Sequence, residues 1–401
     1  MLNGIINNNL KKIRENSPYI TSSKNNLIIC LLLLFVLYSE YSVAATTSPR
    51  FQKFIITDGH SQFNTRALHI DSNGFLWAGL SEGLARYDGY NFKIFRGNTE
   101  HISGNFASVV VEDNKGMFWI GNKGGGLIRF NPITETFKYY RKSKQNKTEF
   151  KSHTIQAIVE GSDGNLWVGT KKGLYHFNQK TENFTTYLRD PSNLNSLSNN
   201  DIKSIIVNQD ESLWLGTWGG GLIHFNHKDT VFTHYSHNTS DSKSLSDNFI
   251  NVMDKDKQGN LWIGTHNGNL VHFEQSTGDF TNYRFANKNN NLDRSNIKKL
   301  KIDTSGNIWV ASEGYGLYQF IPKETKIINY RYDSTNPNSI SSDFINSLTE
   351  DTNGNIWIST INNGINKLSP KTLNLFLLLF LLQEIYQKDP VEELDYLSKP
   401  D

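Results

Sequence analysis

Three histidines recur at one interval: His176, His224 and His272 stand 48 residues apart. Imidazoles at regular spacing are candidate metal ligands, provided the fold gathers them. In three other copies of the same segment the place is filled by Arg86, Arg129 and Gln319. It falls on the third strand of a sheet, and strands lie about 4.8 Å apart, so each ring sits roughly 10 Å beyond the innermost strand. Rings of different sheets cannot then share one ion, and no metal is expected. The glycine triplets at Gly124–Gly126 and Gly219–Gly221 resemble phosphate cradles but join strand to strand, with no helix N-terminus to supply a dipole. The D-x-[NS]-G turns open like a calcium loop and lack its remaining ligands. No HExxH, P-loop or dinucleotide fingerprint is present, so no cofactor is expected.

All these residues belong to one repeated block. Asp210 to Phe225 reads DESLWLGTWGGGLIHF, and Trp77, Trp119, Trp167, Trp214, Trp262, Trp309 and Trp357 sit in copies of it, spaced 42, 48, 47, 48, 47 and 48 residues apart. Each copy gives a polar glycine turn (DSNG at Asp71–Gly74, DTNG at Asp351–Gly354), an apolar strand (LWVGT, LWIGT), a second glycine turn and a further strand (GLIHF, GLYHF). An F-x-x-Y pair follows, as at Phe184–Tyr187 and Phe232–Tyr235, and an apolar run such as Ile155–Glu160 or Ile202–Val207 precedes each tryptophan. Four strands per repeat of this length make the blade of a β-propeller, because one blade buries its faces only against its neighbours. The seven tryptophans are expected in the core between blades. Phe51–Ile56 matches the outer strand that ends each repeat, and Ile345–Leu368 supplies only three strands. The expectation is therefore an all-β, seven-bladed propeller of four-stranded blades, closed by an N-terminal outer strand that removes a free edge.

The pattern D-x-x-G-x-[LI]-W-[IVL]-G-T-x-x-G-G-L-x-x-F, matched from Phe51 to about Pro370, resembles the two-component regulator propeller repeat. That resemblance implies the periplasmic sensor region of a hybrid histidine kinase or a diguanylate cyclase, with glycans as a ligand class. It also implies a second propeller, an immunoglobulin-like domain, a membrane span and an output domain, for which this chain has no pattern.

Residues 1–45 read as an export signal: Lys11, Lys12, Arg14 and Lys24, then the apolar run Leu27–Leu37, then small residues at Ser42, Ala44 and Ala45. Eleven apolar residues fit a cleaved signal better than a bilayer span, which takes about 20; uncleaved, this segment is the chain's one route to a membrane. Cys30 lies inside the run, so the mature chain carries no thiol. The net charge of +2 is that of this leader, and the remainder sums to zero, which excludes a nucleic-acid stripe. Residues 46–370 are the propeller. Residues 371–401, opening with LNLFLLLFLL, leave the pattern and read as a chain cut short or as a docking tail.

The glycine turn between second and third strands changes in every blade. It shares a rim with polar connections such as Arg189–Asp201, Ser236–Asn248 and Tyr332–Phe344, expected to be too polar for the core. On this rim the candidate ligand-binding residues are Trp218, Lys123, Lys172, His266, Glu82, Glu313, Tyr315 and Asn362. Trp218 alone breaks the tryptophan series; at a turn tip it is placed to stack on a sugar ring. Lys123, Lys172 and His266 suit an anionic group. The expected partner is a small molecule or oligosaccharide, bound extracytoplasmically, with binding altering how two receptor chains pair as a homodimer. A propeller lyase or glycosidase is the enzymatic alternative and needs carboxylates gathered near the axis. Only Glu82 and Glu313 are placed on the varied rim from sequence. A protein–protein scaffold is the third reading.

Overall fold

A strand buried on both faces must be apolar at every position, whereas an outer strand alternates. Both patterns occur within each repeat. In the fourth, Leu213–Thr217 (LWLGT) is buried throughout, and Val231–Tyr235 shows only partial cover at Phe232 and Tyr235. A computed structural model describes residues 49–57, 63–97, 107–122, 124, 126–140, 154–284 and 296–369. The expected export signal at residues 1–45, the tail at 371–401 and Lys123 lie outside them. Within the described residues the chain forms seven four-stranded antiparallel sheets, six of them in plain sequence order. The fourth, for example, runs Ile202–Val207, Leu213–Thr217, Leu222–Asn226, Val231–Tyr235. The protein is an all-β, seven-bladed propeller.

The seventh sheet joins both ends of the repeat array. Phe51–Phe54 pairs antiparallel with Ile365–Leu368, in the register Phe51↔Leu368 to Phe54↔Ile365. The ring-closing strand is two residues shorter than the Phe51–Ile56 expected from sequence. Ile56 leaves the ladder but is buried beside Trp357, Leu76 and Leu80, in the core between the last blade and the first.

Each tryptophan packs across the blade interface. Trp77 lies with Phe118, Ile120 and Phe130 of the next blade, Trp214 with Leu261, Ile263 and Phe273, and Trp309 with Phe51, Ile358 and Leu368. An indole removes about 200 Å² from water, roughly 5 kcal/mol gross at 25 cal/mol per Å². The glycine two residues on lets the next blade approach: a Cβ on Gly216 would meet Ile250 Cγ2 at 2.6 Å, and one on Gly264 would meet Ile297 Cγ2 at 2.5 Å.

The aspartate that opens the first turn does two things. Oδ1 of Asp71, Asp113, Asp303 and Asp351 accepts backbone N–H groups two and four residues on. Oδ2 accepts the indole N–H of Trp77, Trp119, Trp309 and Trp357 at 2.7–2.9 Å. Burial pushes the Asp351 carboxyl up, yet the hydrogen bonds from Asn355, Trp357 and Asn353 leave it below the usual range. The turns are also tied from blade to blade by carboxylates: Glu112 accepts Ser72 N–H, Glu160 accepts Asn114 N–H, and Glu350 accepts Thr304 N–H. The acidic rim is thus occupied in holding the ring together.

Candidate functional site

The opposite rim is built from a fixed backbone and variable side chains. In blades 4 to 7 the first residue of the glycine turn donates its N–H to the carbonyl just before an inner strand: Trp218 to Asp201, His266 to Phe249, Glu313 to Asn296 and Ile361 to Phe344, all at 2.9–3.0 Å. The turn and the long connection therefore share one rim, as the sequence implies. The threonine of W-x-G-T locks the turn: Thr217 Oγ1 donates to Gly221 O at 2.8 Å, and Thr360 Oγ1 to Gly364 O at 3.1 Å. With the backbone held this way, the turn residues are free to vary.

Four of the eight rim residues fall in one arc, over blades 4 to 6. Trp218 stands edge-on to His266 (4.8 Å between centroids) and to Phe249 (5.1 Å). It is half-buried rather than a bare tip, and Phe249 beside it is 39% exposed. Lys203 Nζ lies 4.9 Å from the centre of the Trp218 ring and 3.5 Å from Asp201 Oδ1. His266 Nδ1 is buried with no partner among the described residues, and an unmet buried donor or acceptor calls for a reason. Glu313 bonds Lys298 Nζ and Asn296 Nδ2, both at 3.0 Å. Burial pushes its carboxyl up, but Lys298, Asn296 and the facing His266 leave it below the ordinary value. Tyr315, on the Glu313 turn, faces the Arg331 guanidinium at 5.8 Å, and Arg331 is fixed by Asp343 at 2.7 Å.

The other four are not brought to this arc. Lys172 is exposed on the blade 3 turn, its backbone N–H bonded to Thr170 Oγ1. Glu82 is exposed on the blade 1 turn. Asn362 is taken up in a reciprocal pair with Asn64, at 2.7 and 3.1 Å. Lys123 is not described. Residues that the sequence reading missed are Phe249, Lys203 and Asp201. They directly precede or open inner strands, where an apolar run obscures them.

One expectation about this rim needs correction. The long connections are not too polar to be core, since Leu197, Leu245 and Ile340 are almost fully buried. Each connection also runs along the outer strand of the next blade: Phe232 N–H reaches Asn195 Oδ1 at 2.8 Å, Phe280 N–H reaches Lys243 O at 3.1 Å, and Phe51 N–H reaches Asn338 O at 2.9 Å. These bonds cover sheet edges that would otherwise stand open. The recurring histidines His176, His224 and His272 are half-buried, 4.2–4.5 Å from the indoles of Trp167, Trp214 and Trp262. Burial lowers the pKa of His176 and His224, against the pull of Asp163 and Asp210.

Residues 107–341, more than half of the chain, match the family described as SMP-30/Gluconolactonase/LRE-like region, and residues 339–362 match Two component regulator propeller. The chain belongs to the first of these families, and its last blade carries a repeat of the second. The propeller is similar in structure to the extracellular domain of the hybrid two component system BT4673 from B. thetaiotaomicron, with a TM-score of 0.65 and 25% identity. The alignment covers 80% of this chain and 40% of that one. Histidine kinase P4 of Formosa agariphila is 33% identical over 75 residues, 19% of this chain and 6% of the kinase. The chain thus spans well under half of the receptors it resembles. Virginiamycin B lyase from Staphylococcus aureus superposes with a TM-score of 0.61 over 80% of this chain and 99% of the lyase, at 13% identity, which is a likeness of fold alone. No helix among the described residues is long and apolar enough to cross a membrane.

Proposed function

We propose that this propeller is the extracytoplasmic ligand-sensing domain of a two-component or diguanylate cyclase receptor. Its ligand is an oligosaccharide or another small molecule, held on the Trp218 arc. The chain reaches that compartment by its N-terminal segment. Binding alters the pairing of two receptor chains, and the chemistry of signalling belongs to the receptor's other domains. The observation that carries this reading is the cluster of Trp218, Phe249 and His266 over Lys203. It is a half-exposed aromatic surface with polar groups at its edge, the composition that suits the face and hydroxyls of a sugar ring.

A second reading, a propeller lyase or glycosidase, draws on two carboxylates near the axial mouth, Asp201 and Glu313. Each is already paired with a lysine, Lys203 or Lys298. A glycan array and calorimetry on the purified propeller, run beside a turnover assay, separate the two. Binding without product is expected, weakened about thirtyfold by Trp218→Ala, since a central aromatic anchor is worth roughly 2 kcal/mol. Product release would overturn the sensor reading in favour of the enzyme.

A further inference from the structure

In six blades the inner strand carries a β-bulge near its start, and the bulged residues are Arg66, Gln156, Lys203, Asn251, Lys298 and Asn346. Ser108 holds the same place in blade 2. A bulge lifts one residue out of the ladder and re-aims its side chain. All seven are polar, on strands otherwise rich in apolar residues.

The four neutral members stitch blades together. Ser108 Oγ reaches Ile155 O at 3.5 Å, Gln156 Nε2 reaches Ile202 O at 3.0 Å, Asn251 Nδ2 reaches Ile297 O at 3.0 Å, and Asn346 Nδ2 reaches Thr65 O at 2.9 Å. Every acceptor is the first residue of the next inner strand, so these bonds form a belt around the mouth of the central channel. The three cations interrupt it. Lys203 turns to Asp201, Gln156 and the Trp218 ring. Lys298 turns to Glu313. Arg66 has no carboxylate partner among the described residues, and its buried Nε is without a hydrogen bond. Of these three cations, Lys203 and Lys298 each have a carboxylate partner, Asp201 and Glu313, and Arg66 alone has none among the described residues.

Resting on the sensor reading above, we infer that Arg66 receives an oxyanion of the ligand, so that the ligand is an acidic oligosaccharide bearing carboxylate or sulfate groups. A guanidinium presents a planar fork matched to two such oxygens, and its uncompensated burial is relieved when they arrive. Arg66 belongs to blade 1 and Trp218 to blade 4, on nearly opposite sides of a seven-blade ring. One sugar cannot touch both, so the ligand spans the mouth with at least two sugars, one acidic at Arg66 and one stacked on Trp218.

Calorimetry with the purified propeller tests this with three probes: an oligogalacturonate, the same oligomer fully methyl-esterified, and a sulfated galactan oligomer. Either charged probe is expected to bind about tenfold more tightly than the ester, and the difference should shrink as salt is raised. Which charged probe binds best distinguishes carboxylate from sulfate. Arg66→Gln should abolish the preference and Arg66→Lys should restore part of it, with thermal unfolding checked on both. An ester that binds as well as the charged forms overturns the assignment of Arg66 and leaves the sensor reading standing. A charge preference that survives Arg66→Gln in folded protein also overturns it. If no saccharide binds either wild type or variants, the saccharide reading of the arc falls and this inference with it.

Discussion

Replacing Phe51 and Phe54 by alanine should unlatch the ring. Phe51 is 5% exposed, packed with Trp309, Leu368 and the edge of Tyr330 at 5.8 Å. Phe54 is partly buried, 5.2 Å from Trp357 and 5.4 Å from Tyr87. Phenylalanine to alanine in a core costs about 3–5 kcal/mol, the lower end applying to the partly buried Phe54. The two face different cores, one on each side of blade 7, so their losses should add to about 5 kcal/mol or more. Whole domains are stable by about 5–15 kcal/mol. The closing strand would therefore detach at little further cost, exposing the edge of Ile365–Leu368. Hydrogen exchange with mass spectrometry localises the effect: protection of peptides covering 356–368 should fall by about a thousandfold, more than in blades 3 and 4. Unchanged protection there in the double variant would refute the claim that Phe51–Phe54 holds the ring shut.

Two further outcomes follow from the blade interface. Gly264→Val should destabilise the fold by several kcal/mol, because its Cβ would fall 2.5 Å from Ile297 Cγ2 and 2.8 Å from Val252 Cγ1; a denaturation midpoint equal to wild type would show that the blades are not packed so closely. Acidification from pH 7.5 to 5.5 should lower stability, because burial holds His69, His176 and His224 below their ordinary value. The unfolded chain then takes up protons near pH 6.5 that the folded chain refuses, so the stabilising contribution is present above that pH and lost below it. His176→Gln with His224→Gln, which place in blades 3 and 4 the residue type that blade 6 carries at Gln319, should flatten this dependence between pH 7.5 and 5.5. An unaltered slope would rule the histidines out.

Period and residue type made the wheel legible, because each blade needs the same indole at the same distance from its neighbour. Even the shared last blade could be read, since Phe51–Phe54 repeats the spacing of an outer strand. What escaped were features with no period of their own. Leu197, Leu245 and Ile340 are single apolar residues inside polar connections, and one buried side chain leaves no pattern. The link from Asp71 to Trp77 spans six residues and crosses a turn, so it belongs to no helical or strand repeat. The bulged residues hid for a different reason: a bulge shifts alternation by one, which makes Lys203 or Asn251 look like the solvent face of an ordinary strand. A signal was nonetheless there, a polar residue directly after the first apolar residue of most inner strands.

The two rims differ in what holds them. On the acidic rim the functional groups themselves carry the structure, because side chains of Asp71, Glu112 and Glu350 accept the bonds that join turn to tryptophan and blade to blade. Substitution there costs stability directly. On the other rim the backbone carries it: threonine hydroxyls and turn N–H groups close the loops, so the turns keep their shape whichever side chains they bear. Selection for a ligand can act on the second rim without unfolding the first. That is why Trp218 can stand where blade 3 has Lys171 and blade 5 has His266, on turns whose first N–H makes the same bond in all three. The same logic extends to the bulges. Four serve the ring as amides or a hydroxyl, and an amide exchanged for a cation forfeits one inter-blade bond. Among the described residues, blades 1 and 6 show no such bond, whereas in blade 4 Lys203 bonds back to Gln156 of blade 3, and in blades 4 and 6 a neighbouring carboxylate compensates the charge. In blade 1 none among the described residues does, and the Arg66 Nε is buried without a hydrogen bond, a cost that an oxyanion of the ligand would relieve.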